Sequence, residues 1–421
     1  MPVFCLILAR ETSKRTRNEV YSFRMSKINA KNTRLYFVDA IRAWAILMML
    51  QGHFIDGLLD NAFRDDSNLF FSVWKYFRGI TAPVFFTISG FIFTYLLIKA
   101  PEQGWDNPRV KKGIKRGFEL LIIGYLLRIN LFGLFKGEVY SSFYLVDVLH
   151  CIGLSILGII AIYMLTANRK KWVLPVILVT TTITLFIFEP WYKPISFELL
   201  PQWLANYLTK ANGSVFTIIP WFGYATFGSF ASVLFYRFRD SKQLYPMAMA
   251  ICSISGLLLI FYSSDAFLAF SSVTGIQLFE AIFYNNYLFI RLGDVLLVFA
   301  LFMLFRTFLT NKTLLRLGQS TLSIYIIHFI FLYGSFTGLG LYGFFHHTVS
   351  PLIVVPGAIL FMMVCSYLAL RYEDHKASIK LSVNTYFNVA RKRLEYALLF
   401  GFSLLRNFSL KLAKLFGLIK N

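Results

Sequence analysis

Charge is scarce in this sequence. Of its 421 residues only 15% are Asp, Glu, Lys or Arg, and acidic residues are half as common as basic ones, 21 against 42. A water-soluble domain of this length needs far more polar surface, so a soluble globular class is excluded. Cysteine is also sparse. Cys5, Cys151, Cys252 and Cys365 lie in the N-terminal segment or in apolar runs, without metal-ligand spacing, so neither a disulfide framework nor a metal site is expected. The formal net charge of +21 does not indicate nucleic acid, because the basic residues flank apolar runs and have no aromatic-interleaved soluble domain behind them. Membrane topology and anionic lipid account for that charge.

What is abundant is apolar: 57% hydrophobic and 18% aromatic residues. Crossing about 30 Å of hydrocarbon takes roughly 20 helical residues. Runs of that length fall near 35–57, 79–99, 117–135, 143–166, 172–189, 214–236, 244–262, 287–310, 319–342 and 350–370. The expectation is an all-α polytopic integral membrane protein of about ten transmembrane helices. With the N-terminus inside, the segments 1–34, 100–116, 167–171, 237–243, 305–318 and 371–421 carry 32 of the 42 Lys and Arg. The outer segments carry six, Arg64, Lys75, Arg78, Lys136, Lys193 and Lys210. This bias predicts that both termini are cytoplasmic.

Three regions follow. Residues 1–34 form a basic cytoplasmic segment whose apolar start, MPVFCLILAR, is too short to span and lacks a small-residue cleavage site after it. Residues 35–370 form one membrane domain without soluble insertion or visible repeat. Residues 371–421 alternate apolar and basic positions at three- and four-residue spacing, which predicts an amphipathic helix lying in the inner interface. Outer loops at 58–78, 190–213 and 263–286 are expected to run to about twenty residues.

Ionisable groups inside spans are costly and mark sites unless they pair with one another. The first span, RLYFVDAIRAWAILMMLQGHFIDGLL, embeds Asp39, Arg42 and His53. Asp39 and Arg42, three apart, can pair on one face. Arg42 and His53, eleven apart, point the same way about 16 Å from each other, with His53 toward the outer end. His53 is a candidate general base or nucleophile, since an imidazole takes and returns a proton near neutral pH; the structural alternative is a histidine hydrogen-bonded to a neighbouring helix. Asp147 with His150, and Arg291 with Asp294, repeat the three-residue spacing at the outer starts of the fourth and eighth spans. They are candidate acceptor contacts, or ion pairs that lock helices. His328 lies in the ninth span. Arg109, Lys111, Lys112, Lys115 and Arg116 crowd the inner loop before the third span, where they can hold topology or bind a phosphorylated cytosolic donor at a helix N-terminus.

The segments VDAIRAWAILMMLQGHF, ITAPVFFTISGFIF, KRGFELLIIGYLL, VLHCIGLSILGI, PWFGYATFGSF and LGQSTLSIYIIHFIF, taken in order, resemble the membrane acyltransferases related to heparan-α-glucosaminide N-acetyltransferase, over roughly residues 34–370. Arg42 and His53 also fit the basic-residue and histidine pattern of the family-3 membrane O-acyltransferases. The resemblance implies passage of an acyl group, commonly acetyl, from cytosolic acyl-CoA to a sugar or glycan on the outer side, with acyl-CoA as donor substrate and no bound cofactor. On it His53, Arg42, Asp39 and His328 are catalytic candidates, and Arg109, Lys112, Lys115 and Arg116 donor-binding ones. Two positions depart from the pattern. Residues 54–78 contain no histidine where the glucosaminide branch carries a candidate catalytic one, and Ala43 replaces the glycine usual after the motif arginine. The partners implied are the bilayer, acyl-CoA and a glycan acceptor, with no nucleic acid; a homo-oligomer is allowed, and a bacterial inner membrane is the expected location. The rivals from other classes are a secondary transporter, which predicts Gly/Pro-broken helices in two related halves, and a glycan flippase or polymerase subunit.

Overall fold

A computed structural model describes residues 35–415, and among them there is no β-strand. The residues expected to form a basic N-terminal segment, with Cys5, lie outside the described part. The long helices are α1 (Tyr36–Leu58), α2 (Leu69–Lys99), α3 (Pro108–Leu127), α4 (Val148–Thr166) and α5 (Val173–Ile187), then α6 (Ile218–Arg237), α7 (Leu244–Thr274), α8 (Tyr287–Leu304), α9 (Lys312–Gln319), α10 (Thr321–Tyr333) and α11 (Pro351–Leu415).

Among the described residues six helical segments are long and apolar enough to cross a membrane, and the bent pair α9 and α10 makes a seventh. Helices also occupy the remaining predicted runs, but each departs from an ideal span for a visible reason. α1 carries Asp39, Arg42 and Asp56, α3 opens with five basic residues within its first nine, and α5 has only 15 residues, about 22 Å.

The boundaries differ from expectation where polar side chains cap helices. α2 begins ten residues early because Asn68 accepts from the backbone N–H groups of Phe70 and Phe71, so Trp74, Lys75 and Arg78 sit on a helix rather than in a long outer loop. The loop expected at 263–286 is mostly helix, since α7 runs on to Thr274 and a short helix follows at Gln277–Tyr284. α3 starts at Pro108, capped by Asn107, which puts the basic cluster on helical turns instead of in a loop, and it ends at Leu127 rather than 135. The ninth run, expected over 319–342, holds only the 13 residues of α10, which a 71° bend at Ser320 joins to α9 in the expected inner segment. α11 continues unbroken from Pro351 past residue 370 to Leu415.

Close backbone approach sets the bundle. A Cβ on Gly228 of α6 would lie 1.9 Å from the Thr87 carbonyl of α2, and one on Gly318 of α9 would lie 1.9 Å from the Asp39 carbonyl of α1. Small residues let membrane helices meet at van der Waals distance where lipid offers no competing hydrophobic drive. The second contact holds the α9 end of the bent pair against the start of α1.

Candidate active site

The last turns of α1 carry His53, which is half-buried, and Asp56. His53 forms both its hydrogen bonds through Nδ1, to Nε2 of His328 at 3.3 Å and to the Tyr333 hydroxyl at 3.4 Å. The two imidazole rings are 5.3 Å apart, and His328 is fully buried on α10 with the Tyr325 ring edge-on at 4.8 Å. Sequence reading named both histidines separately, and the bend at Ser320 is what aims α10 so that they meet. Tyr333 was missed; nothing in the sequence sets it apart from the other 22 tyrosines.

Asp56, one turn beyond His53, was also missed. Its carboxylate takes a two-pronged contact from Arg78, 2.8 Å at each oxygen, and a third from Arg64 at 2.8 Å. Arg64 donates to the Asp56 carbonyl as well, at 2.7 Å, and His347 lies 3.1 Å from that carbonyl. Bidentate arginine contacts to a carboxylate are among the stronger polar interactions in proteins, and here they tie the α1 terminus to α2. The three-residue spacing of His53 and Asp56 is the same signal that singled out Asp147 and His150.

Asp147 caps α4, accepting from the Leu149 N–H, while its Oδ1 lies 2.9 Å from His150 Nδ1 and its Oδ2 takes a 3.3 Å contact from Arg128. Asp147 is within electrostatic reach of both His53 and His328. His53 and His328, named singly from the sequence, thus touch each other, and Asp147 and His150 pair as their spacing predicts. Tyr125 packs edge-on to His150 at 4.4 Å and shares a 2.7 Å hydrogen bond with Tyr207. Burial, and then that hydrogen bond, push the Tyr207 phenol, in the connection before α6, well above its ordinary pKa, which keeps it neutral.

The remaining predicted residues lie elsewhere. Arg42 pairs with Asp39 at 3.7 Å and donates to Thr321 at 3.2 Å, and Gln319 donates to Asp39 at 3.3 Å. These contacts fasten both sides of the bend to α1, about 16 Å along the helix from His53. Arg291 pairs with Asp294 at 2.9 Å, and Tyr76 donates to Asp294 at 2.7 Å, an α8 to α2 clamp. Arg109, Lys111, Lys112, Lys115 and Arg116 are exposed along the first turns of α3; Lys115 and Arg116 lie 4.0 and 3.6 Å from Glu119. Arg116 is within electrostatic reach of Arg42. So one end of the bundle gathers imidazoles, phenols and carboxylates, and the other gathers accessible cations. Among the described residues no three His, Cys, Asp or Glu side chains converge as a metal site.

Residues 34–267 match the family model described as heparan-alpha-glucosaminide N-acetyltransferase, catalytic. No curated protein matches the chain.

Proposed function

The chain belongs to the heparan-α-glucosaminide N-acetyltransferase catalytic family, and from that premise we propose that it moves an acetyl group from cytosolic acetyl-CoA to a sugar or glycan acceptor across the membrane. The observation that carries this reading is the separation of two chemistries along α1. A half-buried imidazole stands at one end, and a cluster of exposed cations faces the other.

In the proposed reaction His53 takes a proton from the acceptor hydroxyl or amine as that atom attacks the thioester carbonyl. The carbon–sulfur bond breaks, the acetyl group stays on the acceptor, and the CoA thiolate recovers the proton from His53. General-base help of this kind speeds transfer roughly 10²–10⁴-fold. Arg109, Lys112, Lys115 and Arg116 hold the CoA phosphates, since several guanidinium and ammonium groups beside a helix N-terminus favour an anion. Arg42 and Asp39 keep the bend fixed along the donor's path. Asp147 and His150 line the acceptor side, and Arg291 with Asp294 clamps α2 to α8 behind it.

The topology that suits this chemistry has ten crossings, both termini in the cytoplasm, and the His53 end outside. A bacterial inner membrane is the location that fits, with residues 1–34 and 371–421 as basic flanks on the inner face. One observation favours the rival transporter or flippase reading: α9 and α10 form a broken span, the device by which many carriers build a midplane site.

The test is the purified protein in proteoliposomes with acetyl-CoA on the α3 side and a panel of amino sugars and glycans on the other. Acceptor-dependent release of free CoA together with acetylated product supports the enzyme. Movement of glycan without CoA release replaces it with the carrier.

A further inference from the structure

The rings around His53 continue outward past the groups so far described. Tyr333, whose hydroxyl lies 3.4 Å from His53 Nδ1, packs against Tyr342 with ring centroids 5.5 Å apart, and Tyr342 packs against His346 at 4.4 Å. His346 in turn stacks on His347 at 3.9 Å. Exposure rises along this row: His53 and Tyr333 are half-buried, Tyr342 is 37% exposed, and His346 is exposed. Apart from His53, these rings come from the end of α10 and the connection to α11, outside the family match at 34–267.

The end of α1 holds the row in place. A Cβ on Gly57 would lie 3.0 Å from the Tyr342 ring, so that ring rests against bare backbone. The His347 N–H donates to the Gly57 carbonyl at 3.2 Å, and the Val349 N–H donates to the Leu58 carbonyl at 2.9 Å. His347 Nε2 lies 3.1 Å from the Asp56 carbonyl. These contacts hold His347 at φ 54°, a left-handed backbone conformation that persists only where its surroundings fix it. Rings fixed in this way can bind a partner at little ordering cost. Their polar edges are unused: the Tyr342 hydroxyl and the His346 ring nitrogens make no hydrogen bond to the described residues.

We infer that Tyr342 and His346 form an outer sugar subsite, which holds the pyranose next to the one that reacts at His53. This deepens the acetyltransferase reading and rests on it for the reacting position. A pyranose presents a face of C–H groups and a rim of hydroxyls. The negative face of an aromatic ring attracts the polarised C–H groups, while a phenol and an imidazole at its edge can give and take hydrogen bonds with the rim. A hydrocarbon chain would use the ring faces and leave those edges unpaired. Tyr342 stands two ring contacts from His53, through Tyr333, so one sugar fills only the inner position and a glycan of two or more fills both.

The test uses the purified full-length protein in detergent without acetyl-CoA, with glucosamine and the β-1,4-linked glucosamine disaccharide as probes. The disaccharide is expected to bind the wild type about tenfold more tightly than the single sugar, the scale of one good aromatic contact. Saturation of the aromatic protons is expected to pass to the C–H protons of its second ring. Tyr342→Leu keeps an apolar contact with Gly57 but removes the ring, and is expected to bring the two Kd values together. His346→Ala, at the exposed end of the row, is expected to cut the advantage about threefold without disturbing the core. Equal Kd values in the wild type, failure of both sugars to bind it, or an advantage undiminished in His346→Ala each overturn the subsite. An advantage that survives in folded Tyr342→Leu does the same and leaves Tyr342 a ring of the interfacial belt. Because binding is read without donor, absence of acetyl transfer counts against the proposed function, while the subsite stands or falls on the ratio of the two Kd values.

Discussion

Asp56 carries two guanidinium groups on one carboxylate, and its loss is felt more widely than that of a surface ion pair. Replacing Asp56 by Ala leaves Arg64 and Arg78 facing each other without a counter-charge at the end of α1. Because the three side chains are between 25% and 37% exposed, water recovers part of the cost, and a loss of roughly 1–3 kcal/mol is expected. It is read as a lowered Tm in detergent, and an unchanged Tm would show that the contacts are not held in solution. The residues that sequence reading paired correctly share one helix: Asp39 with Arg42, Asp147 with His150, Arg291 with Asp294. Three-residue spacing fixes such neighbours before any tertiary fold exists. The contacts of Asp56 with Arg78, Arg42 with Thr321 and His53 with His328 join different helices, and no local rule announces them.

Helices were legible from apolar runs, but their ends were set by groups the runs do not contain. Asn68 and Asn107 each accept from backbone N–H groups at a helix start, and an asparagine just before an apolar or proline-led run is a readable signal that was passed over. The bend at Ser320 was not readable, since the sequence runs through LGQSTLSIYIIHF without proline; it comes from α9 pressing on α1 through Gly318 while α10 turns inward. Packing at this scale depends on the glycines at helix crossings. Gly228→Val is expected to cost roughly 1–3 kcal/mol or the fold itself, because the added side chain meets the Thr87 backbone at a distance no atom tolerates and α6 must leave α2. Size-exclusion profiles of the solubilised variant check this; a monodisperse peak at the wild-type Tm would contradict the crossing.

At the scale of the whole molecule, the imidazole end and the cationic end must face opposite compartments if the acetyl group is to cross. Single cysteines at Lys112 and Lys75 in an otherwise cysteine-free chain test this with an impermeant maleimide. Position 75 is expected to react in intact cells and position 112 only after lysis, and the reverse would invert the proposed topology. All-helical membrane architecture was plain from composition because charge is so scarce. Which polar groups the proposed site would use was not, because His53, His150 and His328 stand on α1, α4 and α10, far apart in the sequence. The central claim is that His53 moves the proton in acetyl transfer. The most direct measurement compares acceptor-stimulated CoA release by wild type and His53→Ala at matched acetyl-CoA binding: the account predicts a fall of about 10²-fold or more in the variant, and release that persists at the wild-type rate would contradict it.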